Sequence, residues 1–326
     1  MIQYKPTNKN LTKACDSQFM KRALKILSVA VLLFIVIVIL LLKYISGLPT
    51  PPENYRDKLE TGGEIEAKYL MNGNFATSYY EEPTLQVFEK YQIHYPTELT
   101  SQNKKYPVIV VCNGTGWKAS LSKHIYDYYA SWGFIVVSNE ETYSWNAFGA
   151  EMAIRHLERL NDTQIIDNKD NIFYQKIDFE NIGIIGHSQG GVGVINAITN
   201  TEHKDIYKTA IALSPTNKEL ATNLEWHYDA GKINIPIMLV SGAGGGDDWV
   251  VTDEGLKDIY NDIGGSKIKL RRKDTPHGDT LYSEDGYVMA WFMWHLQGDE
   301  IASEAFVGEN AEILHNALYQ DIEKDF

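Results

Sequence analysis

The feature that most constrains this chain is a strand candidate that runs into a serine flanked by glycines and continues directly as a helix. Residues 182–186 are apolar and rich in β-branched side chains, and residues 186–190 read Gly-His-Ser-Gln-Gly. A turn this tight strains the backbone of Ser188, and Gly186 and Gly190 stand where a Cβ would clash. The pattern therefore predicts a nucleophile elbow, with Ser188 held clear of the sheet at a helix N-terminus.

Strand and helix signals alternate along most of the chain. Helix candidates lie near residues 121–132 and 145–160, where apolar side chains recur at helical spacing. Most strand candidates are short apolar runs without alternation, as expected for strands covered on both faces. We expect a mostly parallel sheet with helices on both faces, built from strands at 86–95, 107–112, 134–138, 182–186, 210–214, 237–241 and 267–271.

An uncharged apolar run occupies residues 26–42, and five lysines or arginines precede it between residues 9 and 25. With its flanks the run approaches the ~20 residues that span a bilayer as a helix. The positive-inside rule then places the N-terminus in the cytoplasm. The predicted order is a tail at 1–22, a transmembrane anchor at 23–43, a proline-containing stalk at 44–66, a catalytic domain at 67–310 and an acidic tail at 311–326. The alternative is a cleaved signal peptide and a secreted protein.

Charge is divided unevenly along the chain. Residues 1–43 carry a net charge of +6, which leaves −19 for residues 44–326 of a chain whose total is −13. An acidic outer domain argues against nucleic acid and anionic lipid as ligands. No metal or cofactor is expected either.

A serine hydroxyl becomes a good nucleophile only when a neighbouring base accepts its proton, and a carboxylate usually orients that base. Of the histidines after Ser188, only His277 lies in a loop that follows the last strand candidate. The carboxylate is expected after strand 237–241, where Asp247 and Asp248 follow a glycine-rich stretch. Either aspartate is a candidate to orient the imidazole.

Tetrahedral intermediates of acyl transfer need hydrogen-bond donors for their oxyanion. The backbone N–H of Gln189, directly after the nucleophile, is one candidate. The second donor is expected from the loop at 113–116, which reads Asn-Gly-Thr-Gly. Trp117 and Trp249 lie in loops at the same predicted sheet edge and are expected to form aromatic walls of a substrate site.

With these motifs, residues 75–310 resemble the dienelactone-hydrolase-like α/β hydrolases, especially the cutinase-like polyester hydrolases and related lipases. The Gly-His-Ser-x-Gly-Gly motif stands at 186–191, and an Asp-x-Val-Val acid loop is matched at 248–251. The resemblance implies an α/β-hydrolase fold, Thr115 as the second oxyanion donor and Asp248 as the triad acid. Two positions depart from the pattern: Asn113 replaces a histidine or proline, and Thr216 stands where polyester hydrolases carry tryptophan.

The resulting hypothesis is a membrane-anchored serine hydrolase that cleaves small-molecule, lipid or polyester-like carboxylic esters outside the cytoplasm. Ser188 is the expected nucleophile, His277 the base and Asp248 the acid, with Asp247 as its alternative. The same residues suit a serine peptidase or amidase, which is the enzymatic alternative. A catalytically silent surface-binding protein on this fold is the non-enzymatic alternative.

Overall fold

The computed structural model describes residues 9–46, 51–84 and 87–326. Residues 1–8 of the predicted tail, residues 47–50 of the predicted stalk and Gln86 of the first strand candidate lie outside the described residues. The chain divides into two units, Met1–Leu48 and Pro49–Phe326, and each is described by itself.

The first unit contains one long helix, α1 (Lys9–Ser46). Its segment Leu24–Leu41 has a mean hydropathy of 3.2 over 18 residues, and none of it is buried. At 1.5 Å per residue this segment is about 27 Å long, close to the hydrocarbon thickness of a bilayer. By length and composition it is a candidate membrane span, and a signal sequence has the same properties.

The second unit alternates helices and strands. Their bounds are α2 (Glu64–Leu70), β1 (Thr77–Pro83), β2 (Lys90–Pro96), β3 (Tyr106–Cys112), α3 (Lys123–Ser131), β4 (Ile135–Asn139), α4 (Phe148–Asp162), β5 (Ile165–Ile166), β6 (Lys169–Asp170), β7 (Ile177–His187), α5 (Gln189–Asn200), β8 (Tyr207–Leu213), α6 (Lys218–Asn223), β9 (Ile237–Ala243), α7 (Asp253–Asp262), β10 (Lys267–Lys273), α8 (Asp285–Gln297), α9 (Glu300–Ser303) and β11 (Tyr319–Asp325).

Within the described residues, one large sheet has the strand order β1-β2-β4-β3-β7-β8-β9-β10-β11. The strands from β4 to β10 in this order run parallel, and β1, β2 and β11 pair antiparallel at the two sides. One core lies under α4, α5 and α7, and a second core lies under α2, α3 and α8 on the other face. The predicted fold class, a mostly parallel α/β-hydrolase sheet after an N-terminal apolar helix, is confirmed.

The C-terminal residues form an edge strand where an acidic tail at 311–326 was predicted. Strand β11 pairs antiparallel with β10, and Tyr319 at its start is 4% exposed. Its sequence, Tyr-Gln-Asp-Ile-Glu-Lys-Asp, is mostly charged because an edge strand keeps one side in water. The acidic composition therefore reflects the edge of the sheet.

Part of the predicted stalk also packs into the second unit. Tyr55 is 3% exposed, and its hydroxyl donates to the carboxylate of Asp285. Glu66 is 2% exposed and pairs with Arg272 at 3.0 Å. The packed domain therefore begins before residue 67, because these polar residues are partners of buried charges that lie far along the chain.

Candidate functional site

Ser188 sits between β7 and α5 in the strained conformation that its motif predicts. Its φ of 59° and ψ of −120° lie outside the regions that L-residues prefer. A Cβ on Gly186 would stand 2.3 Å from the carbonyl oxygen of Gly190, and a Cβ on Gly190 would stand 2.2 Å from that of Cys112. Both glycines are therefore required by the close approach of β3, β7 and α5.

Three side chains form a continuous hydrogen-bonded chain at the carboxyl edge of the parallel strands. His277 Nε2 lies 2.9 Å from Ser188 Oγ, and His277 Nδ1 lies 2.6 Å from Asp247 Oδ1. Since a carboxylate only accepts, Nδ1–H donates to Asp247, which leaves Nε2 to accept from the serine hydroxyl. The three residues come from the loops after β7, β9 and β10, whose ends meet at one sheet edge.

The carboxylate beside His277 belongs to Asp247, which corrects the preference for Asp248. Asp247 is fully buried, and its Oδ2 accepts from Gly242 N–H at 2.7 Å and from Ser214 Oγ at 2.7 Å. Asp248 is exposed and accepts from Gly246 N–H at 3.0 Å. Gly246 adopts a left-handed φ of 98° in the glycine-rich loop that precedes Asp247. This turn directs the first aspartate inward and the second outward.

Two further side chains hold the loop that carries His277. The carbonyl oxygen of His277 accepts from His187 Nε2–H at 2.7 Å and from Thr280 Oγ1 at 2.7 Å. Because a carbonyl cannot donate, His187 carries its proton on Nε2. Burial lowers the pKa of His187 to about 4, so this residue is a neutral hydrogen-bond donor near neutral pH.

These supports, with Ser214, were missed at the sequence level. The sequence motif identifies His187 only as the neighbour of Ser188. Ser214 directly follows β8 at the same edge of the sheet, and that position was the available signal. Thr280 lies three residues after His277 in a loop whose conformation the sequence did not predict.

Both predicted oxyanion residues lie next to Ser188. Gln189 is the first residue of α5, and its buried side chain accepts from Ser144 N–H at 2.9 Å. A Cβ on Gly114 would stand 3.9 Å from Ser188 Cβ, which brings the loop after β3 against the serine. Thr115 follows Gly114 and lines the same cavity as Ser188.

A cavity of about 540 Å³ opens in front of Ser188 and His277. Trp117 and Trp249, which are predicted to be aromatic walls of a substrate site, line this cavity. Trp226 lines it as well and was missed, because it lies between α6 and β9 in a segment without a motif. Among the described residues, no group of three or more His, Cys, Asp or Glu side chains is placed to hold a metal ion.

The elbow, the Ser-His-Asp arrangement and the mostly parallel sheet define the class of α/β hydrolases. A family model described as PETase: PET hydrolase-like matches residues 61–277, about two thirds of the chain. The chain belongs to this PET hydrolase-like family, and the resemblance to cutinase-like polyester hydrolases is confirmed. The family implies an ester hydrolase on the α/β-hydrolase fold. No curated protein matches the sequence.

Proposed function

We propose that this protein is a serine hydrolase of carboxylic esters that works through an acyl-enzyme on Ser188. The observation that carries the proposal is the hydrogen-bonded chain from Ser188 Oγ through His277 to the buried Asp247. Membership of the PET hydrolase-like family supports an ester as the substrate. The strained elbow supports the serine as the nucleophile, because it holds the hydroxyl out of the sheet toward the cavity.

In the proposed acylation step, Ser188 Oγ forms a bond to the ester carbonyl carbon while its proton passes to His277 Nε2. Asp247 keeps the imidazole in the reactive tautomer and stabilises the imidazolium that forms. When the tetrahedral intermediate collapses, the bond to the alkoxy oxygen breaks. The alcohol leaves with the proton from His277, and the acyl group remains on Ser188.

In the proposed deacylation step, a water molecule attacks the acyl carbon and gives its proton to His277 Nε2. Collapse of the second intermediate returns this proton to Ser188 Oγ and releases the carboxylic acid. The backbone N–H groups of Gln189 and Thr115 are the proposed donors to the oxyanion in both steps. Their neighbours support this role, since Gln189 begins a helix and the Gly114–Thr115 loop lies against the serine.

Turnover of a nitrophenyl ester tests the proposal. Ser188→Ala and His277→Ala are each expected to lower turnover on the order of 10⁴–10⁶-fold, because triad members act as a unit. Ser101→Ala is the matched control, since Ser101 is exposed and precedes β3 at the opposite edge of the sheet. Folded Ser188→Ala protein with wild-type turnover would contradict the proposal.

We further propose that α1 anchors the enzyme in a membrane, with the catalytic domain outside the cytoplasm. The hydropathy of Leu24–Leu41 and the lysines and arginines that precede it support this orientation. Fractionation of cells and intact-mass measurement of the purified chain test it. We expect an uncleaved chain in the membrane fraction, and a soluble chain that lacks the apolar segment would establish secretion instead.

A further inference from the structure

Among lysine, arginine, aspartate and glutamate, only an acidic residue lines the cavity. Asp279 is the acidic residue among the side chains that line it, and no lysine or arginine lines it. All of the lining residues lie in the described part of the chain. Asp279 forms no ion pair with a described lysine or arginine, and its side chain lines the cavity. A cleft lined by one sign of charge attracts ligands of the opposite sign.

Asp279 is held close to the reacting groups. It follows His277 by two residues, and its Oδ1 accepts from the hydroxyl of Tyr282 at 2.8 Å. Burial and this hydrogen bond raise the pKa of Tyr282, so the phenol remains a neutral donor to the carboxylate. The carboxylate is therefore positioned by a neighbour that also lines the cavity.

The other walls of the cavity combine aromatic side chains with the aliphatic side chains of Leu220, Leu224, Val250 and Leu281. Trp117, Trp226, Trp249 and Tyr282 line it, and Trp249 is 65% exposed at its mouth. Aromatic faces attract cations within about 6 Å of the ring centroid, and quaternary ammonium groups are bound in this way. The cation–π contacts found among the described residues involve other rings, so no protein cation occupies these four.

From these observations we propose that the site prefers esters that carry a cationic group, such as a quaternary ammonium. The cation lies against the tryptophan and tyrosine faces with Asp279 as its counter-charge, while the ester carbonyl reaches Ser188. The inference rests on the proposed ester hydrolase function and names its substrate class. The net charge of −19 over residues 44–326 favours the approach of the same substrates at low ionic strength.

A matched pair of thioesters tests this preference. Acetylthiocholine and 3,3-dimethylbutyl thioacetate have nearly the same shape, and only the first is charged. Release of the thiol gives kcat/KM for each. We expect the full-length protein in detergent to favour the cationic thioester by about tenfold, and the ratio to fall toward one in about 1 M salt.

Two variants test whether Asp279 and Trp226 cause the preference for the cationic thioester. Asp279→Asn keeps an acceptor for Tyr282 and is expected to remove most of the cationic preference. Trp226→Leu keeps an apolar wall without an aromatic face and is expected to reduce it. Asp274→Asn is the matched control, because Asp274 is exposed, lies outside the cavity and has a φ of 53° that asparagine tolerates. The ratio of the two substrates is the readout, so a general loss of activity does not affect it.

A second measurement does not depend on the variants. Tetramethylammonium is expected to inhibit hydrolysis of the neutral thioester by competition, at concentrations where neopentyl alcohol does not. Equal or faster turnover of the neutral thioester, or an unchanged ratio in Asp279→Asn, would overturn the cationic preference and leave the ester hydrolase standing. Hydrolysis of neither thioester, with no fluorophosphonate labelling, would overturn the proposed function itself.

Discussion

At the residue scale, the orientation of His277 depends on the hydrogen bonds that the buried carboxylate of Asp247 accepts. One oxygen accepts from His277, and the other accepts from Gly242 N–H and Ser214. These three hydrogen bonds hold the carboxylate in one orientation. Asp247 is therefore positioned to hold the imidazole in one tautomer.

The two adjacent aspartates give a direct prediction. Asp247→Asn is expected to lower ester turnover by about 10⁴-fold, because the imidazole loses the carboxylate that fixes its tautomer. Asp248→Asn, the neighbouring control, is expected to cost less than about tenfold, since its side chain caps a turn in solvent. Measurement of kcat for both variants on one nitrophenyl ester decides the assignment. A larger loss in Asp248→Asn would reverse it.

Ser188 and His277 could be predicted from the sequence, because a local motif defines Ser188 and the order of elements along the chain defines His277. The elbow needs glycines at fixed positions, and the histidine must follow the last parallel strand. Neither signal could decide between Asp247 and Asp248 as the residue beside His277. Asp247 and Asp248 are adjacent in a glycine-rich loop, and the backbone turn at Gly246, which a local sequence pattern does not define, precedes the aspartate that points inward.

At the element scale, the buried carboxyl group of Glu141 lies at the N-terminus of α4, where it accepts a hydrogen bond from Gly149 N–H. Glu141 is 6% exposed, and burial raises its pKa to about 7, although a hydrogen bond from Gly149 N–H acts in the opposite direction. An unfolded glutamate titrates near its ordinary pKa of 4.5. The folded protein therefore retains a proton that the unfolded chain loses between these values, so stability from this group falls as pH rises from about 4.5 to 7.

Glu141→Gln removes this titration and keeps an oxygen acceptor for Gly149. The variant is expected to exceed the wild type in free energy of unfolding at pH 8, by an amount on the order of 3 kcal/mol, and to match it near pH 4. Urea unfolding of the fragment 49–326 at both pH values measures the difference. Glu202→Gln, at a 73% exposed side chain, is the control. Parallel pH profiles for the wild type and Glu141→Gln would contradict the assignment.

The central strands of the sheet were easier to predict from the sequence than the edge strands. The strands β3, β4, β8 and β9 and the part of β7 from residue 182 onward are mostly apolar because both of their faces are covered. Strands β1 and β11 were missed, since their charged residues face water and give no continuous apolar run. Strand β1 pairs with the next strand in the chain, β2, whereas α8 and α9 separate β11 from its partner β10, so a local pattern could not identify the pairing of β11.

At the scale of the whole molecule, residues 55–66 complete the packing of the catalytic domain. A fragment that begins at residue 49 is expected to fold and hydrolyse esters. A fragment that begins at residue 67 loses Tyr55 and Glu66, which leaves buried Asp285 and Arg272 without these partners. Its free energy of unfolding is expected to be lower by about 3–5 kcal/mol. Equal stability of the two fragments in urea would show that the domain starts at residue 67.

The central claim is that Ser188 is the activated nucleophile of an ester hydrolase, and covalent labelling tests it most directly. The full-length protein in detergent is treated with a fluorophosphonate, digested and mapped by mass spectrometry. Our account predicts one adduct on Ser188, much slower labelling in His277→Ala, and none in Ser188→Ala or in the heat-denatured protein. An adduct on another residue, or labelling that persists in folded Ser188→Ala, would contradict it.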